Sequence, residues 1–266
     1  MAEIIKLKEY FGGNLAALLA EKIAQVEPRF ADKSFVSKIE KGVRELELQD
    51  RVGLMAEELK HHLMPDHDYP KALHTLLQIL GPENPNETGM FKTGYWLMPV
   101  AKFVELYGLE HYDISLQAIY EITKRHTGEY AVCPYIEKAP RPSVRLMKKW
   151  ARDASVHPRR LASEGLRPRL PWAKKLDIFI EDPKPVVEVL EILKTDSSAF
   201  VKKSVANNMN DILKDNPDLA MPILHRWAGL RNPNTNWIIK HALRNLLKQN
   251  NREAVTVIKR CGESKK

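Results

Sequence analysis

The second half of the chain repeats a short pattern at a nearly constant interval. A polar stretch is followed, a few residues later, by a basic residue inside an apolar helical run, and this basic residue is Arg160, then Lys203, then Lys240. Steps of 43 and 37 residues separate the three positions. Such periods are typical of paired helices that bury their apolar faces against neighbouring pairs. The spacing therefore predicts a solenoid of helical pairs.

Apolar residues recur at helical spacing almost throughout, and strand alternation is nearly absent. Phe35, Ile39 and Val43 form one such run, and prolines with Asn/Asp clusters end the runs. We therefore expect an all-α fold of the HEAT-like helical-repeat type. We expect a single domain over residues 1–266, with N-terminal helices and first repeats in 1–139 and basic repeats in 140–266.

Positive charge is concentrated in one segment. The chain carries a net charge of +8, but Arg141–Lys175 alone holds eleven basic and two acidic residues, and residues 1–139 carry a net −5. Such concentration is typical of a polyanion binder, although a solvated basic surface without a partner is the alternative. Equivalent positions of a solenoid line one face, so Arg160, Lys203 and Lys240 would form a stripe in a concave basic groove suited to a DNA backbone. Exposed cations on outer helices are the other interpretation.

Several classes of protein are disfavoured. The two cysteines, Cys133 and Cys261, are too few and too far apart for a disulfide framework or a zinc site, so we expect no metal and no cofactor. The low cysteine content also indicates that the protein works in a reducing cytosol. The N-terminus has no apolar signal core, and no apolar run approaches the roughly 20 residues of a membrane span. Membrane association is therefore not expected, and no lysine stands out as a Schiff-base nucleophile.

Three carboxylates have surroundings unlike a solvated helix face. Glu129, Glu164 and Asp211 each lie among small or apolar neighbours. A carboxylate that faces DNA is repelled by phosphates, so it is costly unless it stabilises a positive charge on the substrate or polarises a water molecule. The alternative is that each acid caps a helix or pairs with an arginine.

Aromatic and amide residues in the same region have open roles. Trp172 ends the cationic run, residues Pro158–Trp172 of this segment, and could contact a base or deoxyribose, or pack between repeats. Asn207 and Asn208 are unusual inside a helix and could bind phosphates, hold the acids or mark a kink. His241 and Arg244, three residues apart, would form a cationic pair on one helix face, and Trp227 is expected in the core.

Three blocks of this sequence resemble the AlkC-type DNA alkylation repair glycosylases. They are the runs Arg159–Trp172 (RRLASEGLRPRLPW), Ser204–Asp215 and Trp237–Arg244. Thr123–Pro134 fits less tightly, and Leu46–Arg51 and the Met64–Pro65 turn resemble the family's first helices. His157–Pro158 and Cys133–Pro134–Tyr135 depart from the family pattern, and the second removes a cation near Glu129. Some relatives carry an additional C-terminal immunoglobulin-like domain, for which we expect no room before Lys266.

The resemblance implies an all-α superhelix shared with AlkD and excision of cationic N-alkylated bases, notably 3-methyladenine and 3-methylcytosine, while the lesion stays stacked. By motif position it implies that Glu129, Glu164, Asp211 and Trp172 form the active site, with Arg160 beside it. It also implies the bacterial cytosol, in association with the nucleoid. We expect the contacts to DNA to come from Arg159, Arg160, Arg167, Arg169, Lys203, Asn207, Asn208, Trp237, Lys240, His241 and Arg244.

The sequence-based hypothesis is a monofunctional, monomeric DNA glycosylase of base excision repair that acts on double-stranded DNA containing alkylated bases, without base flipping. The alternative is a non-catalytic HEAT-like module that binds distorted or damaged DNA. A protein-interaction solenoid is a third possibility, and it predicts no affinity for a duplex.

Overall fold

The described structure is entirely helical. A computed structural model describes residues 6–30, 32–87 and 94–262, and within these residues there are sixteen α-helices and no strand. The all-α prediction is thereby confirmed. The chain divides into two compact units, Met1–Val132 and Cys133–Lys266. Residues 1–5, on which the expected lack of a signal segment depends, lie outside the described residues.

Six helices belong to the first unit. They are α1 (Gly13–Ala24), α2 (Asp32–Gly42), α3 (Leu48–Leu63), α4 (Tyr69–Gln78), α5 (Met98–Tyr107) and α6 (Tyr112–Thr123). Helix α2 packs between α1 and α3, and α5 packs on α3 and α6. Phe35, Met55, Leu59 and Phe103 are completely buried in this unit, because the helical runs place one apolar face of each helix inward.

Ten helices belong to the second unit. They are α7 (Cys133–Lys138), α8 (Pro140–Trp150), α9 (Val156–Glu164), α10 (Asp177–Glu181), α11 (Lys184–Leu193), α12 (Ala199–Asp215), α13 (Pro217–Ala228), α14 (Pro233–Ala242), α15 (Arg244–Lys248) and α16 (Arg252–Gly262).

The second unit is built from two rows of helices. Helix α12 packs between α9 and α14, and these three helices form one row. Helices α8, α11 and α13 form the other row. An ion pair between Lys148 and Glu188 joins α8 to α11, and Trp227 Nε1 donates to Glu191 Oε1 (2.8 Å) between α13 and α11. Trp227 is fully buried, as expected.

The repeat register derived from the sequence matches these rows. Arg160 lies on α9, Lys203 on α12 and Lys240 on α14, so the three aligned cations occupy successive helices of one row. The first helix of each pair, α8, α11 or α13, belongs to the other row.

Local capping explains where the helices of this row begin. The side chain of Ser198 accepts hydrogen bonds from the backbone N–H groups of Phe200 and Val201 at the start of α12, and Asn232 serves α14 in the same way. Pro158 stands at the third position of α9, where a missing N–H costs little, so the His157–Pro158 departure does not prevent the helix. No α-helix in the described part of the chain is long and apolar enough to cross a bilayer.

Candidate active site

The segment between α9 and α10 brings an arginine inside the second unit. Leu166 and Leu170 are buried and anchor this segment, and between them Arg167 is only 8% exposed. Arg167 Nη1 donates to Glu164 Oε1 (2.8 Å), and its Nε donates to Asp211 Oδ2 (2.8 Å). One guanidinium therefore links a carboxylate at the end of α9 to a carboxylate on α12.

Both carboxylates are buried and have further donors. Glu164 is 5% exposed, and its Oε2 accepts a hydrogen bond from Ser204 Oγ (2.6 Å). Arg160 Nη2 lies 3.5 Å from Glu164 Oε1, while its guanidinium carbon lies 4.9 Å from the centre of the Phe200 ring. Asp211 is 2% exposed, and Lys214 Nζ lies 3.2 Å from its Oδ1.

The environment keeps Glu164 ionised. Burial alone would raise the pKa of this carboxyl group, because a charge is poorly solvated inside a protein. The charges of Arg160 and Arg167 and the hydrogen bond from Ser204 outweigh burial and hold the pKa of Glu164 below its ordinary value. Burial opposes the charge of Arg167 as well, but the charges of Glu164 and Asp211 and their hydrogen bonds raise the pKa of Arg167, so it also remains charged.

Trp172 has an exposed side chain on an unfavourable backbone. Its φ is +66°, in the left-handed region, and its side chain is 65% exposed. For a bulky residue this conformation is a genuine outlier that costs about 1–2 kcal/mol. Such strain persists only where the surrounding chain enforces it, and it is concentrated at functional positions.

Two further arginines of the cationic run form ion pairs. Arg169 binds Asp215 through two hydrogen bonds (Nε–Oδ2 2.7 Å, Nη2–Oδ1 2.6 Å). Arg159 Nε donates to Asp196 Oδ2 (2.7 Å), and its Nη1 donates to the carbonyl of Ala154 (2.9 Å). The guanidinium groups of Arg159 and Arg169 thus have carboxylate partners in the structure, and their contact with DNA remains a prediction.

The asparagines of α12 reach the ends of its neighbouring helices. Asn208 has no exposed surface, and its Nδ2 donates to the carbonyl of Ser163 (2.7 Å) near the end of α9. Asn210 Nδ2 donates to the carbonyl of Ala242 (2.7 Å) at the end of α14. Because the last carbonyls of a helix lack intrahelical donors, these contacts cap both helices. Of the roles considered for Asn208, the geometry favours holding the helix that carries Glu164.

Helix α14 presents an aromatic and basic surface. The rings of Trp237 and His241 are stacked, with centroids 5.0 Å apart, and Lys202 Nζ lies 5.7 Å from the centre of the Trp237 ring. Arg244 Nη2 donates to Asn207 Oδ1 (3.1 Å). The expected cationic pair needs correction, because burial, Arg244 and Lys203 lower the pKa of His241 from 6.5. At neutral pH the positive charge of this pair therefore comes from Arg244 alone.

Glu129 belongs to the first unit, in the turn after α6. It is 3% exposed, and Thr127 Oγ1 donates to its Oε2 (3.0 Å). Gly128 precedes it where a Cβ would lie 2.6 Å from Ile119 Cγ2, so only glycine lets this turn approach α6 closely.

The structure adds Ser204, which the sequence interpretation overlooked, to the residues already expected on α12. Ser204, Asn208 and Asp211 stand at positions i, i+4 and i+7 of α12, which share one helix face. Three polar residues at this spacing in an apolar helix were a signal that the face meets a polar partner. Lys214, at the next turn, was overlooked in the same way. Within the residues that the structure describes, no group of His, Cys, Asp or Glu is arranged to hold a metal ion.

Comparison with known proteins gives two close relatives. No protein-family model matches the chain. An uncharacterized protein of Bacillus subtilis (strain 168), YhaZ, is 35% identical over 252 residues, which are 94% of this chain and 67% of that protein. The structure of Pseudomonas fluorescens alkylpurine DNA glycosylase AlkC bound to DNA containing an abasic site analog aligns with a TM-score of 0.86 and 34% identity, over 96% of this chain and 69% of that one.

These similarities identify the class of protein. The AlkC likeness, at nearly full coverage of this chain, confirms the helical-repeat fold expected from the 43- and 37-residue steps. AlkD2 from Streptococcus mutans aligns more weakly, with a TM-score of 0.40 and 20% identity over 84% of this chain, and has no bearing on the fold. The chain belongs to the AlkC family of DNA glycosylases.

Proposed function

We propose that this protein is a monofunctional DNA glycosylase that hydrolyses the N-glycosidic bond of cationic N-alkylated bases, of the 3-methyladenine and 3-methylcytosine class, in duplex DNA. We further propose that it acts as a monomer without metal or cofactor and leaves the lesion stacked. The observation that carries the proposal is the arginine-linked pair of buried carboxylates, Glu164 and Asp211, in a chain of the AlkC family.

The reaction needs little help at the base. When the glycosidic bond of a cationic base breaks, the bonding electrons leave with the base, which becomes neutral. Positive charge then develops on the sugar as an oxocarbenium-like species, and water captures it with loss of a proton. The products are the free base and an abasic site. Fixed negative charge beside the sugar lowers the energy of this transition state.

Glu164 suits an electrostatic role better than proton transfer. A general base works best with a pKa near the operating pH. The pKa of Glu164 is instead held below its ordinary value by its arginine neighbours. It therefore stays negative at neutral pH and is a weak base. Arg160 lies 3.5 Å away, beyond a good hydrogen bond, so Glu164 keeps acceptor capacity for a nucleotide.

Further residues are proposed for the site and for DNA contact. The exposed indole of Trp172 can lie against the sugar or base of the lesion. Glu129 is proposed as the third acid on the family resemblance and on its burial. Lys203 and Lys240 are exposed on successive helices of one row and are proposed as phosphate contacts.

One assay tests the proposal directly. Methylated duplex DNA is incubated with the protein, and the released bases are separated chromatographically. We expect release of 3-methyladenine, whereas duplex binding without release would favour the non-catalytic DNA-binding module. Absence of any duplex affinity would favour a protein-interaction solenoid.

Variants of the two acids connect the activity to the site. Glu164→Gln and Asp211→Asn should each slow base release about 10²–10³-fold, as for the loss of one preorganised electrostatic contact, and should change DNA affinity far less. Glu191→Gln is the matched control, because Glu191 also accepts from an arginine, Arg226, but lies in the other row of helices. A Glu164 or Asp211 variant with normal base release would remove that residue from the active site.

A further inference from the structure

The positive charge of the segment 141–175 is divided into two groups by the fold. Six of its eleven cations have carboxylate partners: Lys148, Arg159, Arg160, Arg167, Arg169 and Lys174. The other five are exposed and have no ion pair within the described part of the chain: Arg141, Arg145, Lys149, Arg152 and Lys175. The cationic run Pro158–Trp172, which looked most like a phosphate-binding segment, is thus largely neutralised by ion pairs. The cations of segment 141–175 without such a pair lie mainly at α8.

Three of the uncompensated cations share one side of α8, and a fourth follows the helix. Arg141, Arg145 and Lys149 are spaced by four residues, so they cover an arc of about 80° and are roughly 6 Å apart along the axis. Arg152 follows in the turn after the helix, where its Nη1 donates to the carbonyl of Lys148 (2.7 Å). We call these four residues the α8 stripe. Helix α8 contains no acidic residue.

The rest of α8 is committed to the core. Val144, Met147 and Trp150 are buried on the opposite face. Like charges four residues apart destabilise an isolated helix by about 0.2–0.5 kcal/mol for each pair. The stripe therefore carries a cost that burial of the opposite face offsets, and an anion along the stripe would remove it.

We propose that the α8 stripe binds the phosphodiester backbone of duplex DNA, as a contact surface separate from the carboxylate site on α9 and α12. The inference rests on the proposed function for the choice of DNA as the polyanion. An acidic membrane fits less well, because the apolar face of α8 is buried and the stripe offers no apolar side chain for insertion into lipid. Arginine and lysine pair readily with phosphates spaced along a strand.

The salt dependence of binding measures the number of phosphate contacts. Each contact contributes about 0.9 to the slope of log affinity against log salt concentration. The triple variant Arg141→Gln/Arg145→Gln/Lys149→Gln should therefore lower the slope for an undamaged duplex by about three. Between 50 and 200 mM salt, wild-type affinity should fall about 40-fold more than that of the variant.

Two controls separate this site from a general effect of charge or folding. Arg252→Gln/Lys259→Gln/Arg260→Gln removes the same charge from exposed positions of α16 and should leave the slope unchanged. Arg141→Lys/Arg145→Lys keeps the charge and should also keep the slope, which shows that the loss reflects charge and not a disturbed helix.

Any of three results would overturn the proposal that the α8 stripe binds DNA. The triple variant could keep the wild-type salt slope, or the α16 variant could lose as much slope as the triple variant. The third result is that the wild-type protein binds vesicles of anionic lipid but shows no affinity for duplex DNA. Failure of the proposed function looks different: the wild-type protein would bind duplex DNA with stripe-dependent slope but release no base.

Discussion

At the scale of single residues, Arg167 is the residue that links the two carboxylates of the candidate site. Its Nη1 and Nε bind two carboxylates on different elements, and little of the side chain reaches solvent. Such a planar fork cannot be reproduced by lysine, whose ammonium group is a point charge. We therefore interpret Arg167 as a positioning residue that keeps Glu164 ionised and holds both carboxylates in place, although the sequence suggested a phosphate contact.

Substitution of Arg167 should separate geometry from charge. Arg167→Lys should slow base release about 100-fold, because a displacement of about 1 Å can have this effect, while duplex affinity changes little. Arg226→Lys alters an arginine–carboxylate pair in the other row and should retain normal rates. Equal rates of base release for Arg167→Lys and the wild type would show that contact of one guanidinium group with both carboxylates is not needed.

The pH profile provides an independent test of the same residue. The pKa of Glu164 is lower in the folded protein than in the unfolded chain, where it is about 4.3. Ionised Glu164 therefore contributes stability to the fold above the unfolded pKa. This contribution is lost as the pH falls through the lower folded-state pKa. In Arg167→Gln one compensating charge is gone, and burial should raise this pKa. The acid limb of the base-release profile should then move to higher pH. An unmoved limb would mean that Arg167 does not control Glu164.

The strained backbone at Trp172 leads to a paired prediction. Trp172→Ala and Trp172→Gly both remove the indole, so both should slow base release about tenfold or more, since stacking on a nucleotide is worth roughly 1–3 kcal/mol. Only glycine accepts a φ of +66° without cost. The free energy of unfolding of the Gly variant should therefore exceed that of the Ala variant by about 1 kcal/mol. Normal turnover in both would assign Trp172 to packing.

At the scale of elements, α12 organises the candidate site. One face carries Ser204, Asn208 and Asp211 towards α9 and the segment after it, and Asn210 caps α14. Asparagine is a poor helix former, but here its side chain supplies a donor to a neighbouring helix end. The long helix thus serves as a shared partner of both neighbours, since it carries one acid, Asp211, and binds the other, Glu164, through Ser204.

The row formed by α9, α12 and α14 leads to a prediction about DNA affinity. Lys203 and Lys240 are exposed and have no ion pair among the described residues. Replacing either with Ala should weaken binding to all duplexes about equally and lower the salt slope by about one unit. Lys259→Ala on α16 is the control. Unchanged slopes in both variants would mean that these lysines face away from DNA.

The sequence predicted elements better than it predicted partners. Periodicity and the 43- and 37-residue steps placed Arg160, Lys203 and Lys240 on equivalent helices, because local spacing encodes the helical face. The ion pairs of Arg159, Arg167 and Arg169 join residues 37 to 46 positions apart. A count of charge along the chain cannot show which distant carboxylate meets which arginine. That is why, within the described part of segment 141–175, the exposed cations without an ion pair lie mainly at α8 and not in the run that follows it.

At the scale of the whole molecule, charge is distributed unevenly along the chain. Residues 1–139 carry a net −5, and the remaining residues carry all of the positive excess. Within the second unit, buried ion pairs hold the carboxylates, and exposed cations remain on α8, α12 and α14. Under the proposed function, binding and chemistry rest on different residues, so affinity and rate should respond to different substitutions.

The last prediction concerns which lesions are excised. If the lesion stays stacked and is not enclosed in a pocket, its shape cannot be tested, and selectivity must come from the lability of the leaving base and from complementarity between the acids and a positively charged nucleotide. 3-Methyladenine should therefore be released, while neutral uracil and hypoxanthine should not. Chromatography of the released bases, with a denaturing gel run without alkali, measures both the selectivity and the state of the strand. We expect abasic sites in uncut strands without added divalent ions. Efficient uracil release or strand cleavage would instead indicate a pocket-type or bifunctional enzyme.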